Sequence, residues 1–124
     1  MLDAAERSPT CPWPGWALAI ARPEVIALRR LLVGASRDFP MLAASYFERA
    51  PGQVIAVLAK EFRRLGRLGL LEIRDAQWAA SQFAYLIVGA PLDQAMLTGK
   101  LPPTKEVERG ALEGVRTFLA RYGR

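Results

Sequence analysis

The hydrophobic and polar positions of this chain repeat with the period of an α-helix over most of its length. In "PEVIALRRLLVGASRDF", apolar residues form one stripe, with Arg29 and Arg30 on the opposite side. The segments "PGQVIAVLAKEFRRLG" and "KEVERGALEGVRTFLARYG" show the same spacing. The short "LLEIR" segment has no strand to pair with, so we expect it to be extended or irregular. The pattern predicts an all-α fold of five to six helices.

Specific residues mark where the predicted helices begin. Proline suits the first turn of a helix, because an N–H group there would have no partner in any case. Pro23, Pro40 and Pro51 are therefore expected to open three helices. Asp75 is a good N-cap for the long helix that follows it, and Thr104 can cap the last helix. The helix between Pro40 and Pro51 is short and carries bulky rings, which is more typical of one wall of a cavity than of a compact core.

The long helix "AQWAASQFAYLIVGAPLDQAML" carries no charge between Asp75 and Asp93. Its large apolar side chains point in all directions, so we expect it to be covered on all sides. A membrane span is one alternative, because the uncharged run approaches the roughly 20 residues that crossing a bilayer requires. The polar residues in the run, Pro91, the lack of basic flanks and the amphipathic remaining helices favour burial in protein.

The last helix combines an apolar stripe with small residues. Val107, Ala111 and Phe118 lie on the stripe, and Gly110 and Gly114 crowd one side of it. Glycine inside a helix costs ~1 kcal/mol relative to alanine, so two of them suggest the close approach of another helix. Tolerance of a suboptimal sequence is the alternative.

The dimer hypothesis follows from these two helices. A domain of this size has too few helices to enclose the long, uncharged helix on all sides. A second copy of the chain would cover it if two helices from each subunit formed a four-helix bundle around a two-fold axis.

Composition limits the classes of function. The 124 residues are 52% hydrophobic and 23% charged, which excludes a disordered chain and fits one globular domain. The net charge is +5. The nearest candidate for a nucleic-acid patch, Arg63, Arg64 and Arg67, lies at a helix end, where arginine complements the helix dipole. We therefore expect a solvated surface and no direct binding of DNA by this chain.

Candidate catalytic and metal-binding groups are scarce. The chain has no histidine and a single cysteine, Cys11, so it lacks an ordinary general base and the usual ligands of zinc. Asp38, Glu48, Glu61 and Asp93 form no pair at catalytic spacing and are explained as parts of solvated helix faces. We expect neither an enzyme nor a cofactor. The single cysteine fits a reducing cytoplasm, and acidic residues interrupt what would be the basic region of a signal peptide.

Several of these segments occur together in a combination that resembles a known family. They are "RDFPMLAASYFERAPGQVIAVLAKEFRRLGRLGLLEIRDAQWAASQFAYLIVGAPLDQAMLTG" and "PPTKEVERGALEGVRTFLARYG". The most specific parts are the "FP" helix start at Phe39, the break between Tyr46 and Gly52, and the entry to the long helix between Ile73 and Phe83. The chain, over roughly 17–123, resembles the C-terminal regulatory domain of TetR/AcrR-family transcriptional regulators, specifically the AefR-like subgroup.

The resemblance implies a helical domain that forms a homodimer through its last two long helices and holds a small-molecule cavity among the earlier ones. It assigns to the cavity Leu28, Leu32, Tyr46, Phe47, Leu58, Phe62 and Phe83. It assigns to the dimer interface Leu86, Ala90, Met96, Val107, Ala111, Gly114 and Phe118.

The cavity residues also have a plain structural interpretation. Aromatic residues at helical spacing are usually core residues, so for each single cavity position the core is the favoured interpretation. Tyr46 and Tyr85 are the best candidates for polar contacts, because a buried hydroxyl needs a partner. No charged anchor stands out, so we expect a mostly apolar or aromatic effector.

One departure from the family's pattern concerns the N-terminal part. Regulators of this family begin with a three-helix DNA-binding unit. Only Met1–Arg22 precedes the first matching helix, whereas three helices need roughly 40 residues, so we expect this unit to be absent. A domain cut from a longer protein, a shortened reading frame and a natural variant would each give this pattern. Residues 1–16 are expected to be an irregular, proline-rich segment and residues 17–124 the helical regulatory domain.

Two functions follow from these expectations. The chain is either the ligand-sensing and dimerisation domain of a regulator, or an interaction subunit that lacks a DNA-binding head. Such a subunit would pair with a full-length regulator and weaken its binding to a two-fold operator.

Overall fold

The computed structural model describes residues 13–124, which fold into six α-helices. An isolated bridge between Leu71 and Gly123 is the strand-like pairing found in this part of the chain. The all-α prediction is therefore confirmed. The helices are α1 (Trp13–Ile20), α2 (Pro23–Ala35), α3 (Pro40–Arg49), α4 (Pro51–Arg67), α5 (Ala76–Thr98) and α6 (Thr104–Tyr122).

Most helix starts lie where the sequence predicts them. Pro23, Pro40 and Pro51 are the first residues of α2, α3 and α4. Asp75 caps α5, because its Oδ1 atom accepts a hydrogen bond from the backbone N–H of Trp78 at 3.1 Å. The start of α6 differs: its N-cap is the residue before Thr104, and no side chain caps it.

Helix α1 lies partly within the stretch that the sequence analysis assigns to an irregular segment. It begins at Trp13, and the remainder of that predicted segment, residues 1–12, lies outside the described part. Proline near the start of α1 is compatible with a helix because the first backbone N–H groups have no intrahelical partner. Ala17 and Ala21 are buried, and α1 packs against α6 and α5.

The core is built around α5, which packs against α4 and α6. Four rings form its aromatic part. The centroid of the Phe118 ring lies 5.0 Å from that of Phe62 and 5.0 Å from that of Phe83. Tyr122 extends the cluster, with its ring centroid 4.8 Å from that of Phe118 and its hydroxyl donating a hydrogen bond to Gln82. This aromatic cluster joins α4, α5 and α6 at one end of the domain.

Helices α5 and α6 approach most closely at Gly114. A Cβ atom at this position would lie 2.6 Å from the carbonyl oxygen of Leu86, which is too close for any side chain. By contrast, a Cβ atom at Gly110 would meet nothing within 4 Å. Gly114, but not Gly110, therefore marks the close approach of another helix, and that helix is α5 of the same chain.

The connection from α4 to α5 is tied to the end of α6. The backbone N–H of Glu72 donates to the carbonyl oxygen of Tyr122 at 2.7 Å, and that of Arg124 donates to Leu70 at 3.2 Å. These bonds surround the isolated bridge and tie "LLEIR" to the end of α6. Among the helices of residues 13–124, none combines the length and hydrophobicity needed to cross a bilayer.

Candidate ligand pocket and outer surface of the long helix

An apolar pocket lies between the N-terminal helices and α5. Its volume is about 270 Å³, slightly below the ~300–1,000 Å³ typical of pockets for drug-sized ligands. Five helices contribute to its walls, so the tertiary arrangement rather than any one segment creates it. The lining residues are Trp16, Ile20, Val25, Arg29, Tyr46, Ala50, Pro51, Val54, Ile55, Ala84, Tyr85, Val88 and Leu92.

The break between α3 and α4 forms one wall of this pocket. Ala50 ends α3 with φ −105° and ψ −86°, and Pro51 starts α4 directly after it. Both residues line the pocket. The chain is tight here, because a Cβ atom at Gly52 would lie 3.1 Å from the carbonyl oxygen of Phe47. The proline-bounded short helix thus ends at the pocket.

Three of the lining residues, Arg29, Tyr46 and Tyr85, carry a guanidinium group or a phenolic hydroxyl. The guanidinium carbon of Arg29 lies 5.6 Å from the centroid of the Tyr46 ring, within the range of a cation–π contact. Arg29 and Tyr46 are half-buried, and Tyr85 is more exposed at the rim. Among the described lining residues, Arg29 is the charged one.

The seven residues that the resemblance assigns to the cavity lie in different places. Tyr46 lines the pocket. Phe62 and Phe83 are buried in the aromatic cluster, because their helix faces turn towards α6 rather than towards the pocket. The other four residues are exposed or half-buried outside this pocket: Leu28 and Phe47 exposed, Leu32 and Leu58 half-buried.

Several pocket residues are absent from the predicted set. Val25 and Val54 belong to the apolar stripes seen in the sequence, but the stripes do not show which face meets the pocket. Trp16 comes from α1, which the sequence pattern does not predict. Arg29 lies opposite the stripe of its helix, so the sequence suggests a solvated side chain. No local feature of the sequence identifies Trp16 or Arg29 as a pocket residue.

A shallower groove runs along α4 and carries the Glu61–Arg64 pair. The Nε atom of Arg64 lies 3.1 Å from both carboxylate oxygens of Glu61. This hydrogen bonding from Arg64 lowers the pKa of the Glu61 carboxyl below its ordinary value. Both side chains are about half exposed, so water screens the pair and its effect on stability is small. Within the described residues, no cluster of acidic, cysteine or histidine side chains suits a metal ion.

The side of α5 that faces away from the core carries several large, exposed apolar side chains. Trp78 is 66% exposed, Leu86 40% and Leu97 76%. Gln82 and Ala90 lie between them and are also exposed. Successive members of this set lie four or seven residues apart, so their side chains share one side of the helix. We call these five residues the outer surface of α5.

The residues that the resemblance assigns to a dimer interface divide between this surface and the core. Leu86 and Ala90 lie on the outer surface of α5, and Met96 is half-buried against the core. The apolar stripe of α6 packs against α5 within one chain. Its residues are therefore already buried in a single subunit. These buried residues are Val107, Ala111, Gly114 and Phe118.

Other α6 residues lie beside the outer surface of α5. Gly114 contacts the backbone of Leu86. Residues on the same side of α6 as Gly114 therefore lie near the side of α5 that carries Leu86. Thr117 and Arg121 follow Gly114 at three and seven positions and are exposed. The two helices therefore present a joint surface, with an apolar part from α5 and a polar edge from α6.

Comparison with known proteins agrees with this architecture. A family model described as the C-terminal domain of AefR-like transcriptional repressors matches residues 16–124. The structure is similar to a crystal structure, at 1.54 Å resolution, of a protein from Mesorhizobium loti MAFF303099 assigned to the TetR family of transcriptional regulators. The TM-score is 0.88 and the sequence identity 26%. That match covers 100% of this chain and 61% of the Mesorhizobium protein.

The search of curated proteins gave no significant match. The family match spans nearly all of the described residues and agrees with the structural similarity in fold. The family is one of transcriptional regulators and not of enzymes. The chain belongs to the AefR-like C-terminal domains of TetR-family transcriptional regulators.

Proposed function

We propose that this chain is the effector-sensing and dimerisation domain of a TetR-family-like regulator. The observation that carries the proposal is the apolar pocket, to which five helices contribute. A pocket built from several helices is suited to regulation, because a ligand can favour one of two helix arrangements over the other. In a longer relative with DNA-binding heads, such a change would alter the spacing of the heads.

The lining of the pocket indicates the general character of the effector. Aliphatic and aromatic side chains dominate it, and the polar groups are few. Sites of this kind take ligands that bury most of their surface and use one or two polar contacts for orientation. We infer a small, mostly apolar effector.

Blocking the pocket tests the sensing role. Val25 lines the pocket from α2, whereas Val33 on the same helix is exposed and away from it. A screen of small apolar compounds by thermal unfolding should find ligands that stabilise the protein by ~2.7 kcal/mol at 100 times their dissociation constant. Val25→Trp should abolish this stabilisation because the indole fills the cavity, and Val33→Trp should retain it. Equal responses of the two variants, or no ligand at all, would count against the proposal.

The outer surface of α5 supports the dimerisation role. Large apolar side chains exposed side by side on one helix are typical of a surface that another protein covers. A two-fold axis beside this surface would bring α5 and α6 of both subunits into a four-helix bundle. In this arrangement the contact is made by the outer surface of α5 and the adjacent edge of α6.

The same surface could also receive a subunit of a related regulator. In that case the chain would act as an interaction subunit that forms a mixed dimer and weakens the partner's binding to a two-fold operator. Mixing this chain with a related full-length regulator and its operator should then reduce operator binding in proportion to the amount added. Unchanged operator binding would remove this second candidate.

A further inference from the structure

Arg29 is the charged residue among the described residues that line the pocket. Its side chain is half-buried, and its guanidinium carbon lies 5.6 Å from the Tyr46 ring centroid. The salt bridges found among residues 13–124 involve other arginines. No carboxylate of the described chain therefore compensates this charge at ion-pair distance.

The geometry of the arginine side chain leaves it with unused hydrogen-bonding capacity. The guanidinium carbon of Arg29 lies over the face of the Tyr46 ring, and this contact satisfies none of the N–H donors with an oxygen acceptor. No hydrogen bond from these donors is found within the described residues. A carboxylate matches two such donors at once, in parallel hydrogen bonds. Apolar surroundings strengthen this pairing because the effective dielectric constant is lower than in water.

We propose that the natural ligand of this pocket is an amphipathic acid whose carboxylate is bound by Arg29. The apolar body of the ligand lies against Val54, Val88 and Leu92, and the carboxylate end lies beside Arg29 and Tyr46. The volume of about 270 Å³ restricts the body to a medium-length aliphatic chain or a single aromatic ring. This inference rests on the proposed sensing function, since it specifies the ligand class of the same pocket.

Matched acids and alcohols test the proposal. The dissociation constants of octanoate and octanol, and of phenylpropionate and phenylpropanol, are measured by calorimetric titration of the full chain. The carboxylates should bind about 10- to 100-fold more tightly than the alcohols, as expected for hydrogen bonds to a charged group. Arg29→Met should remove this difference by weakening carboxylate binding to the level of alcohol binding, because methionine has the apolar length of the side chain but no charge and no N–H donor.

Two further variants complete the experiment. Arg109→Met removes an exposed arginine on α6, far in the sequence from the pocket lining, and should retain the preference for acids. Arg29→Lys keeps the charge but not the planar pair of donors, so it should show an intermediate preference and serves as a second test if the methionine variant is unfolded. Circular dichroism establishes that each variant is folded.

The outcomes separate this proposal from the function on which it rests. If acids and alcohols bind the wild type equally and Val25→Trp blocks both, the carboxylate proposal is overturned while the sensing function stands. If Arg29→Met keeps the preference for acids, Arg29 is not the anion-binding residue and the proposal fails. If no acid or alcohol binds at all, both the carboxylate proposal and the proposed sensing function of the pocket are overturned.

Discussion

At the scale of single residues, Gly114 sets the distance between α5 and α6. A Cβ atom there would lie 2.6 Å from the Leu86 carbonyl oxygen, and backbone cannot yield as a flexible side chain can. Overpacking of this kind costs ~1–3 kcal/mol. Replacing glycine by alanine gains ~1 kcal/mol in helix propensity, so the substitution is destabilising where the overpacking cost is larger than this gain. We expect Gly114→Ala to lower the free energy of unfolding by up to about 2 kcal/mol in urea titrations at fixed protein concentration.

Gly34 provides the matched control for this substitution. It lies inside α2, and a Cβ atom there would meet nothing within 4 Å. Gly34→Ala should therefore leave the free energy of unfolding unchanged or raise it by up to ~1 kcal/mol. A Gly114→Ala protein as stable as the Gly34→Ala protein would show that the two helices separate at no cost.

The sequence indicates the burial of individual residues better than it indicates their partners. Val107, Ala111 and Phe118 form an apolar stripe, and the structure buries all three. Helical period alone does not show whether such a stripe meets a helix of the same chain or of a second subunit. The same limit applies to Phe62 and Phe83, whose spacing favours a core but is also compatible with a cavity, and which belong to the aromatic cluster. The partner of a stripe depends on how helices cross, which is a tertiary property.

At the scale of helices, the Asp75 cap fixes the start of α5. Its carboxylate accepts the N–H of Trp78, one of the donors that the first turn leaves without a partner. Asp75→Ala should lower the free energy of unfolding by ~1 kcal/mol because this donor loses its partner. Thermal unfolding measures the effect, with Asp75→Asn as the control that keeps an oxygen acceptor. Equal losses in both variants would mean that capping is not the source of the stability.

Helix boundaries are the part of the fold that the sequence predicts most closely. Proline at the first position and an acidic N-cap act through the local backbone, so they operate whatever the tertiary contacts are. The predicted start at Pro40 and the predicted cap at Asp75 are both confirmed. Helix α1 could not be predicted in this way, because its segment combines prolines with a short apolar run. Its place in the fold comes from packing against α6 and α5.

At the scale of the whole molecule, the outer surface of α5 should decide the subunit number. Light scattering of the wild-type chain at micromolar concentration is expected to give twice the mass of one chain. Trp78→Glu and Leu86→Glu should each give the mass of a single chain, because the bundle would then bury two unpaired carboxylates.

An equally apolar residue elsewhere controls for the introduced charge. Leu31 on α2 is 68% exposed, comparable to Trp78 at 66%. Leu31→Glu should leave the mass at two chains. A wild-type protein that remains a single chain at micromolar concentration would remove the dimer proposal, and dissociation of Leu31→Glu would move the interface to α2.

Tyr85 lies at the rim of the pocket and precedes Leu86 on the outer surface of α5. If both proposals hold, an effector and a partner subunit would touch consecutive residues of one rigid helix. Reciprocity then requires that an effector which tightens pairing is itself bound more tightly by the pair, and by the same factor. Effector titrations at protein concentrations above and below the dissociation constant of the dimer should therefore give different effector affinities. Diluting the protein would by itself change its sensitivity to the effector.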